Sequence, residues 1–241
     1  MRILVVNDDG IKSPLLESLV KVASRYGFVY VSAPLNHQSA TSHAITINNR
    51  IKVDKEQFIP NSEKTIAVDG FPADCVRVGL KVYDTDFDLV ISGVNDGYNI
   101  AADANYSGTI AAAREAAILG IPGVAVSTIS GYNPNLEAKI AIALDEVIGD
   151  KKYLQSILLN VNIPPVEMVK GIKYTTQGKR LNHAEFSPIA DTDEYKITYS
   201  QMLYEEDQNS DTVGLDNGYI VITPLSIDQT NYEELKALLK K

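Results

Sequence analysis

Residues 3–10, Ile-Leu-Val-Val-Asn-Asp-Asp-Gly, contain the change of pattern that decides the fold. The apolar run Ile3–Val6 is mostly β-branched and predicts a short buried strand, and Asn7–Gly10 is typical of a turn. Ser13 is suited to cap a helix and Pro14 to occupy its first position, and the apolar residues after them recur at helical spacing. The chain therefore opens with a strand, a polar turn and a helix.

The same alternation continues over the first two thirds of the chain. Apolar runs predict strands at Phe28–Ala33, Thr65–Val68, Asp88–Ser92, Val124–Ser127 and Ile157–Val161. Helical patterns lie between them at Pro72–Leu80, Thr109–Leu119 and Leu136–Ile148. Nearly continuous apolar strands that alternate with helices indicate an α/β fold with a parallel sheet covered on both faces.

The alternation ends near residue 165. Tyr195–Tyr204 and Tyr219–Thr223 predict antiparallel or edge strands, separated by an acidic and polar turn region. Thr230 and Glu233 have the spacing of a capping box, which predicts a short helix at the end of the sequence.

Composition excludes several classes of protein. The 241 residues include 22 Lys and Arg against 31 Asp and Glu, which gives a formal net charge of −9. This balance argues against binding to nucleic acid polymers or anionic membranes, which are bound through basic residues. The single cysteine, Cys75, forms no internal disulfide, and neither a signal peptide nor a membrane span is recognisable, so we expect a cytoplasmic protein.

Polar residues follow three of the predicted strands. They lie at Asn7–Gly10, Asn36–Ser42 and Ser92–Asn99. In an open parallel sheet, ligands bind beyond the carboxyl ends of the strands. These segments are therefore the first place to look for a site.

The adjacent acids Asp8 and Asp9 are the strongest single signal. Two carboxylates about 4 Å apart repel by about 4 kcal/mol at an effective dielectric constant near 20, and a divalent cation removes that repulsion. With the hydroxyl of Ser39 and the amide of Asn95 they form an all-oxygen ligand set, which favours Mg²⁺ or Mn²⁺ over Zn²⁺. The alternative interpretation is a β-turn that uses Asp for its backbone geometry.

A second signal precedes the Ala-rich helix pattern, at Ser107, Gly108 and Thr109. Backbone N–H groups at a helix N-terminus bind anions, and the two hydroxyls add donors. Ordinary helix capping is the alternative for this segment alone. Combined with a metal site, it predicts a pocket that holds a phosphoryl group, with Asn99 as a further candidate ligand.

Three other classes of site do not fit these residues. A dehalogenase-type phosphatase needs a nucleophilic Asp where this chain has Asn7. A receiver domain needs an acid at the end of the Asp88–Ser92 strand, which ends in Ile91 and Ser92. A dinucleotide-binding domain needs several glycines where Gly10 stands alone.

Short motifs occur in a definite order over most of the chain. They are Val6–Ile11, Ala33–Pro34, Asn36–Ser39, Ile45–Thr46, Pro72–Val76, Ser92–Asn99, Tyr106–Thr109, Ala112–Glu115, Asn160–Pro164, Gly218–Tyr219 and Ile222–Leu225. In this order they resemble the survival protein SurE family of metal-dependent nucleotidases. Two departures from the family pattern, Phe71 and Val213–Leu215, lie outside the predicted metal ligands.

The resemblance implies a Rossmann-like three-layer fold with a mostly parallel sheet, followed by a C-terminal β-hairpin arm and a terminal helix. We expect residues 1–180 to form the core, and residues 181–241 to complete it and to form an oligomer interface. Tyr195–Tyr204 and Asp207–Thr223 are expected to be the arm, which reaches a neighbouring subunit in a homodimer or homotetramer.

The resemblance also implies hydrolysis of nucleoside 5′-monophosphates and 3′-monophosphates, with some activity on short polyphosphate. It implies one divalent cation, Mg²⁺ or Mn²⁺, held by Asp8, Asp9, Ser39 and Asn95. The hypothesis is that a metal-activated water attacks the phosphoryl group, with Asp8, Asp9 and Asn95 as catalytic residues and Ser107, Gly108, Thr109 and Asn99 binding phosphate. A non-catalytic nucleotide-binding module and a protein with a purely structural metal remain alternatives, and the general acid stays open between Asp9 and water.

Overall fold

The structure is a computed structural model and describes residues 1–129, 131, 133–149, 158–202 and 207–240. Its strands are β1 (Arg2–Val6), β2 (Phe28–Pro34), β3 (Val53–Gln57), β4 (Lys64–Val68), β5 (Leu89–Asp96), β6 (Gly123–Thr128), β7 (Leu158–Ile163), β8 (Ile172–Tyr174), β9 (Leu181–Pro188), β10 (Tyr195–Met202) and β11 (Ile220–Leu225). Its helices are α1 (Pro14–Ala23), α2 (Pro72–Tyr83), α3 (Gly108–Ile118), α4 (Leu136–Gly149), α5 (Asp211–Asp216) and α6 (Tyr232–Leu238), and a short 3₁₀ helix covers Ala101–Asn105.

A mostly parallel sheet is the centre of the fold. Its strand order is β3-β4-β2-β1-β5-β6-β7-β11-β8. The strands from β4 to β7 run parallel to one another, β3 is antiparallel to β4, and β11 is antiparallel to β7. This arrangement confirms the predicted α/β class with a mostly parallel sheet.

Alternate residues of β1 pack into two cores on opposite faces of the sheet, as the two-residue period of a strand requires. Ile3 and Val5 belong to the core that includes buried residues of α1 and α4. Leu4 and Val6 belong to the core that includes residues of α2 and α3. Helices therefore cover both faces of β1, which explains why its sequence is apolar without interruption.

The C-terminal region divides between a hairpin and the core. Strands β9 and β10 pair antiparallel, from Leu181 opposite Met202 to Pro188 opposite Tyr195. Strand β11 instead lies inside the main sheet, and α5 packs against it. The expectation that residues 207–223 belong to an arm is therefore wrong for α5 and β11, because an apolar strand paired on both edges is part of the core.

The terminal helix is present, but its cap differs from the prediction. The side chain of Asn231 accepts a hydrogen bond from the backbone N–H of Glu234, so Asn231 caps α6, not Thr230. The capping-box spacing thus predicted the start of the helix correctly, but the N-cap lies one residue later than predicted.

A buried carboxylate fixes the 3₁₀ helix to the C-terminal part of the core. Asp211 is fully buried, and its Oδ2 accepts a hydrogen bond of 3.2 Å from the backbone N–H of Ala101. Its Oδ1 accepts hydrogen bonds from the N–H groups of Gly178 and Thr212. The segment before α3 is thus held in place from a distance of about 110 residues along the chain.

Among the helices described here, none is long and apolar enough to cross a bilayer.

Candidate active site

The carboxyl ends of β1, β2 and β5 meet at one edge of the sheet. In the parallel pair β1–β5, Val6 lies opposite Ser92, so the segments that follow them are neighbours. The backbone N–H of Asp96 donates a hydrogen bond of 3.1 Å to Asp9 Oδ2. The N–H of Gln38, after β2, donates one of 2.8 Å to the carbonyl of Asp8. The three polar segments singled out in the sequence therefore converge.

Asn7 shapes the turn that carries the two acids. It is fully buried, its Nδ2 donates to the carbonyl of Gly10, and its Oδ1 accepts from the N–H of Gly10. Gly10 has a φ of 95°, which favours glycine. Asn7 is thus a structural residue of the loop, and the acids beside it are left to bind a ligand.

Asp8 is a buried carboxylate, and no Lys or Arg of the described residues pairs with it. Thr109 Oγ1 donates a hydrogen bond of 2.7 Å to Asp8 Oδ1, and Asp8 is 3% exposed. Burial raises the pKa of Asp8 to about 6, and repulsion from Asp9 adds to the rise. Among the ion pairs between described residues, none joins Asp8 or Asp9 to a Lys or Arg.

Asp9 and Ser39 approach the same imidazole nitrogen. His37 Nε2 lies 2.7 Å from Ser39 Oγ and 3.8 Å from Asp9 Oδ1. Burial raises the pKa of Asp9, while the hydrogen bond from Asp96 and the nearby His37 act in the opposite direction. The loop after β2 therefore brings the Ser39 hydroxyl to the acid pair, with the His37 imidazole beside both.

Asn95 offers an amide oxygen to the same region. Its Nδ2 donates a hydrogen bond of 2.7 Å to the carbonyl of Gly97, which leaves Oδ1 as the acceptor of the amide. Within the described ranges no three His, Cys, Asp and Glu side chains gather as a metal site. A cation would therefore depend on two carboxylates and neutral oxygens, a donor set that fits Mg²⁺ or Mn²⁺.

The N-terminus of α3 lies against Asp8. A Cβ atom added to Gly108 would be 3.0 Å from Asp8 Cβ, so only glycine allows this approach without displacement. Ser107 is the N-cap, and its Oγ accepts from the N–H of Ile110. The Thr109 hydroxyl donates to Asp8, so Thr109 could offer a phosphate only its backbone N–H, which also acts on the Asp8 carboxylate.

Asn99 stabilises this arrangement through side-chain hydrogen bonds. Its Nδ2 donates to Ser127 Oγ over 2.9 Å and to Thr109 Oγ1 over 3.3 Å. Asn160 and Asn162 donate to its backbone carbonyl. The side-chain amide of Asn99 is therefore already hydrogen-bonded within the protein. It holds the Thr109 hydroxyl in place and also lines the cavity.

A cavity of about 750 Å³ lies over these residues. Five predicted site residues line it: Asp8, Ser39, Asn95, Asn99 and Ser107. The other lining residues, none of them among the predicted ligands, are Ala40, Asp96, Tyr98, Asp103, Tyr106, Asn182, Ala184 and Tyr199, and the last three belong to the hairpin. Tyr106 directly precedes the predicted phosphate loop and could have been included, whereas no local signal places the hairpin here.

Comparison with known proteins gives consistent matches. Residues 3–184 match the model of a family described as Survival protein SurE. The chain is 40% identical to 5′-nucleotidase SurE of Petrotoga mobilis, with 100% of both chains covered. It is 36% identical to 5′-nucleotidase SurE of Geotalea daltonii, with 100% of this chain and 98% of that protein covered. The crystal structure of the SurE protein from Aquifex aeolicus superposes with a TM-score of 0.83 at 33% identity, with both chains fully covered.

Proposed function

This chain belongs to the survival protein SurE family, and from that premise we propose that it is a divalent-metal-dependent nucleotidase. Its substrates are nucleoside 5′-monophosphates and 3′-monophosphates, which it hydrolyses to nucleoside and phosphate, with short polyphosphate as a side substrate. The observation that carries the proposal is the acid pair Asp8 and Asp9, which pairs with no Lys or Arg among the described residues and whose buried member, Asp8, borders a cavity beside the N-terminus of α3.

One Mg²⁺ or Mn²⁺ ion is the proposed cofactor. Asp8, Asp9, Ser39 and Asn95 would hold it, and its charge would offset the repulsion between the two carboxylates. When bound, such an ion polarises a phosphoryl oxygen and lowers the pKa of a water. The raised pKa of Asp8 supports this assignment, because burial without a cation penalises the charged form.

The chain itself supplies the anion-binding part of the site. The N–H groups of Gly108 and Thr109 and the hydroxyl of Ser107 lie at the positive end of α3 and would bind phosphate oxygens. Negative charge on those oxygens grows in the transition state, so fixed donors stabilise it more than the substrate. Asn99 keeps Thr109 in place, and the Thr109 hydroxyl orients Asp8.

The proposed assembly is a homodimer or homotetramer formed through the C-terminal region. Large apolar side chains are exposed on the hairpin at Phe186, Tyr195 and Ile197, and on α6 at Leu235 and Leu238. Exposed apolar groups of this number are typical of an interface between subunits. Light scattering of the full chain measures the assembly directly, and a monomer at micromolar concentration contradicts this part of the proposal.

Phosphate release from AMP and 3′-AMP tests the function. We expect turnover with Mg²⁺ or Mn²⁺, none in EDTA, and a loss of at least about 10³-fold in kcat for Asp8→Asn, because the reaction depends on the cation. The matched control is Asp191→Asn at the exposed hairpin turn, which removes the same charge away from the cavity. Binding of AMP without turnover supports a nucleotide-binding module instead. If the protein neither binds nor hydrolyses AMP, a purely structural metal is the alternative that remains.

A further inference from the structure

The cavity that Asp8 lines is also lined by a second polar pair, Asp103 and Asn182. Asn182 Nδ2 donates a hydrogen bond of 2.8 Å to Asp103 Oδ2, and both residues line the cavity. Asp103 lies in the 3₁₀ helix Ala101–Asn105, while Asn182 lies in strand β9 of the hairpin. The pair therefore joins the loop before α3 to the hairpin across one wall of the site.

One oxygen of Asp103 is left for a ligand. Asp103 Oδ1 makes no hydrogen bond to another residue in the described part of the chain, while Oδ2 is used by Asn182. Burial raises the pKa of this carboxyl, so it is already partly removed from water. The backbone around it is fixed, because the N–H of Asp103 bonds the carbonyl of Ile100 and Asp211 holds Ala101. A positioned acceptor in a cavity is suited to hydroxyl donors on a ligand.

The charge of Asp103 decides which end of a nucleotide it meets. A carboxylate repels phosphate, whereas the N-terminus of α3, whose cap Ser107 also lines the cavity, attracts it. A neutral sugar with two adjacent hydroxyls can donate to a carboxylate, as in dinucleotide-binding folds where an acidic residue binds the ribose. Asp103 is therefore suited to the sugar of a nucleoside phosphate, and the N-terminus of α3 to its phosphate.

Aromatic side chains also line the cavity. Tyr106 and Tyr199 are 58% and 71% exposed, so their rings are accessible to a ligand. Nucleobases stack on such rings with little preference for sequence. The volume of about 750 Å³ is within the range of pockets that hold ligands of nucleotide size and exceeds what a phosphate alone fills.

We infer that Asp103, positioned by Asn182, binds the ribose hydroxyls of the substrate and makes this chain selective for ribonucleotides over 2′-deoxyribonucleotides. This inference rests on the proposed nucleotidase function and adds the sugar that the site selects. A site that hydrogen-bonds a substrate hydroxyl discriminates against the analogue without it, because the positioned acceptor then loses that partner. One charged hydrogen bond at a half-buried site corresponds to a preference of about 10-fold to 100-fold.

The test is the ratio of kcat/KM for AMP to that for 2′-deoxy-AMP. We expect the original chain to favour AMP by about 10-fold or more, and Asp103→Asn to bring the ratio to within about twofold of one, mainly by a higher KM for AMP. Asn182→Ala is expected to move the ratio part of the way, because it frees Asp103 without removing it. A purely structural role would lower both kcat/KM values equally and leave the ratio as it was.

The control and the contrary results are separate from those for the proposed function. Asp191→Asn, on the same hairpin but outside the cavity lining, is expected to keep the original ratio. A ratio near one in the original chain, or an unchanged ratio in Asp103→Asn, overturns the inference while the nucleotidase stands. If no nucleotide is hydrolysed, the nucleotidase fails, and calorimetric binding of adenosine against 2′-deoxyadenosine decides the inference, which equal affinities overturn.

Discussion

The imidazole of His43 hydrogen-bonds the buried carboxylate of Glu115, with Nε2 2.8 Å from Oε2. Arg77 Nε lies 2.6 Å from the other oxygen of the same carboxylate, whose side chain is 2% exposed. His43 follows Ser39 on one loop, and Glu115 lies on α3, which begins at the proposed phosphate site. The contact therefore links a proposed metal ligand to the phosphate-binding helix.

We expect Glu115→Gln to destabilise the protein and to weaken its affinity for Mn²⁺. The neutral amide leaves Arg77 and His43 without a carboxylate partner, a loss of about 1–3 kcal/mol for hydrogen bonds to a charged group. The loop that carries Ser39 is then less firmly held, so Mn²⁺ dissociates more readily. Urea unfolding and a Mn²⁺ titration of the metal-free protein measure the two effects separately.

Glu137→Gln is the matched control for Glu115→Gln. Glu137 pairs with Lys21 at the surface, where the two side chains are 37% and 55% exposed. Such pairs contribute about 0–1 kcal/mol, so little change in stability and none in Mn²⁺ affinity is expected. Equal Mn²⁺ affinity in Glu115→Gln and the original chain would show that the contact does not position the metal ligand.

Asp8→Asn is expected to stabilise the metal-free protein at neutral pH. Burial raises the pKa of Asp8 from 3.8 to about 6, so the native state binds this proton more tightly than the unfolded chain. As pH rises from about 4 through 6, ionisation of Asp8 therefore lowers the free energy of unfolding, by about 3 kcal/mol in total. Asn removes this loss while its amide oxygen can still accept from Thr109.

Thermal unfolding in EDTA at several pH values checks this prediction. At pH 8 the Tm of Asp8→Asn is expected to exceed that of the original chain by about 5–10 °C, and near pH 4 the two should coincide. With excess Mn²⁺ the order reverses, because only the original chain gains stability from binding. A lower Tm for Asp8→Asn in EDTA at pH 8 contradicts the prediction.

The sequence was sufficient to predict the parallel half of the fold. Strands such as β1 and β6 are apolar on both faces, because helices cover both, and this makes them visible without structural information. Strand β9 was missed because most of its side chains are exposed, and β8 because it has only three residues. Strand β5 runs to Asp96, beyond the predicted end at Ser92, because its polar residues still pair with β6.

The candidate site was predictable in part for the same reason. Asp8, Ser39 and Asn95 follow parallel strands, and the carboxyl ends of such strands must meet. Asp103 and Asn182 come together only through tertiary packing, 79 residues apart in the chain. The hydrogen bond from the Thr109 hydroxyl to Asp8 could not be predicted either, since it depends on how closely α3 approaches β1.

We expect Gly108→Ala to disturb the acid pair through steric contact alone. The new Cβ would lie 3.0 Å from Asp8 Cβ and 3.1 Å from both Asp8 Oδ2 and Pro72 Cγ. Crowding of this kind in a packed site costs about 1–3 kcal/mol, and here the atom that must move is a proposed metal ligand. A loss of at least about tenfold in Mn²⁺ affinity is expected, measured by titration of the metal-free protein.

Gly149→Ala is the control for Gly108→Ala, because nothing lies within 4 Å of its added Cβ. It should leave Mn²⁺ affinity unchanged and change stability by less than about 1 kcal/mol. Unchanged Mn²⁺ affinity in Gly108→Ala would show that α3 can shift without moving Asp8.

Lys139 is a buried cation whose neighbours are neutral acceptors. It is 3% exposed, and its Nζ donates to the carbonyls of Val166 and Pro164 over 2.6 and 3.3 Å, and to Asn133 Oδ1. These contacts join α4 to the segments that follow β6 and β7, and burial lowers the pKa of the ammonium group.

Lys139→Met is expected to lower the free energy of unfolding by about 2–4 kcal/mol. Methionine fills a similar volume but leaves the carbonyls of Pro164 and Val166 and the amide oxygen of Asn133 without a donor, and each unpaired buried acceptor costs about 1–3 kcal/mol. Urea unfolding measures the change, with Lys81→Met at an exposed position of α2 as the matched control. Because none of these groups lines the cavity, Mn²⁺ affinity should stay within twofold of the original at concentrations where the variant is folded. Equal stability of the two lysine variants would mean that solvent satisfies the freed carbonyls, and that the segments after β6 and β7 do not depend on Lys139.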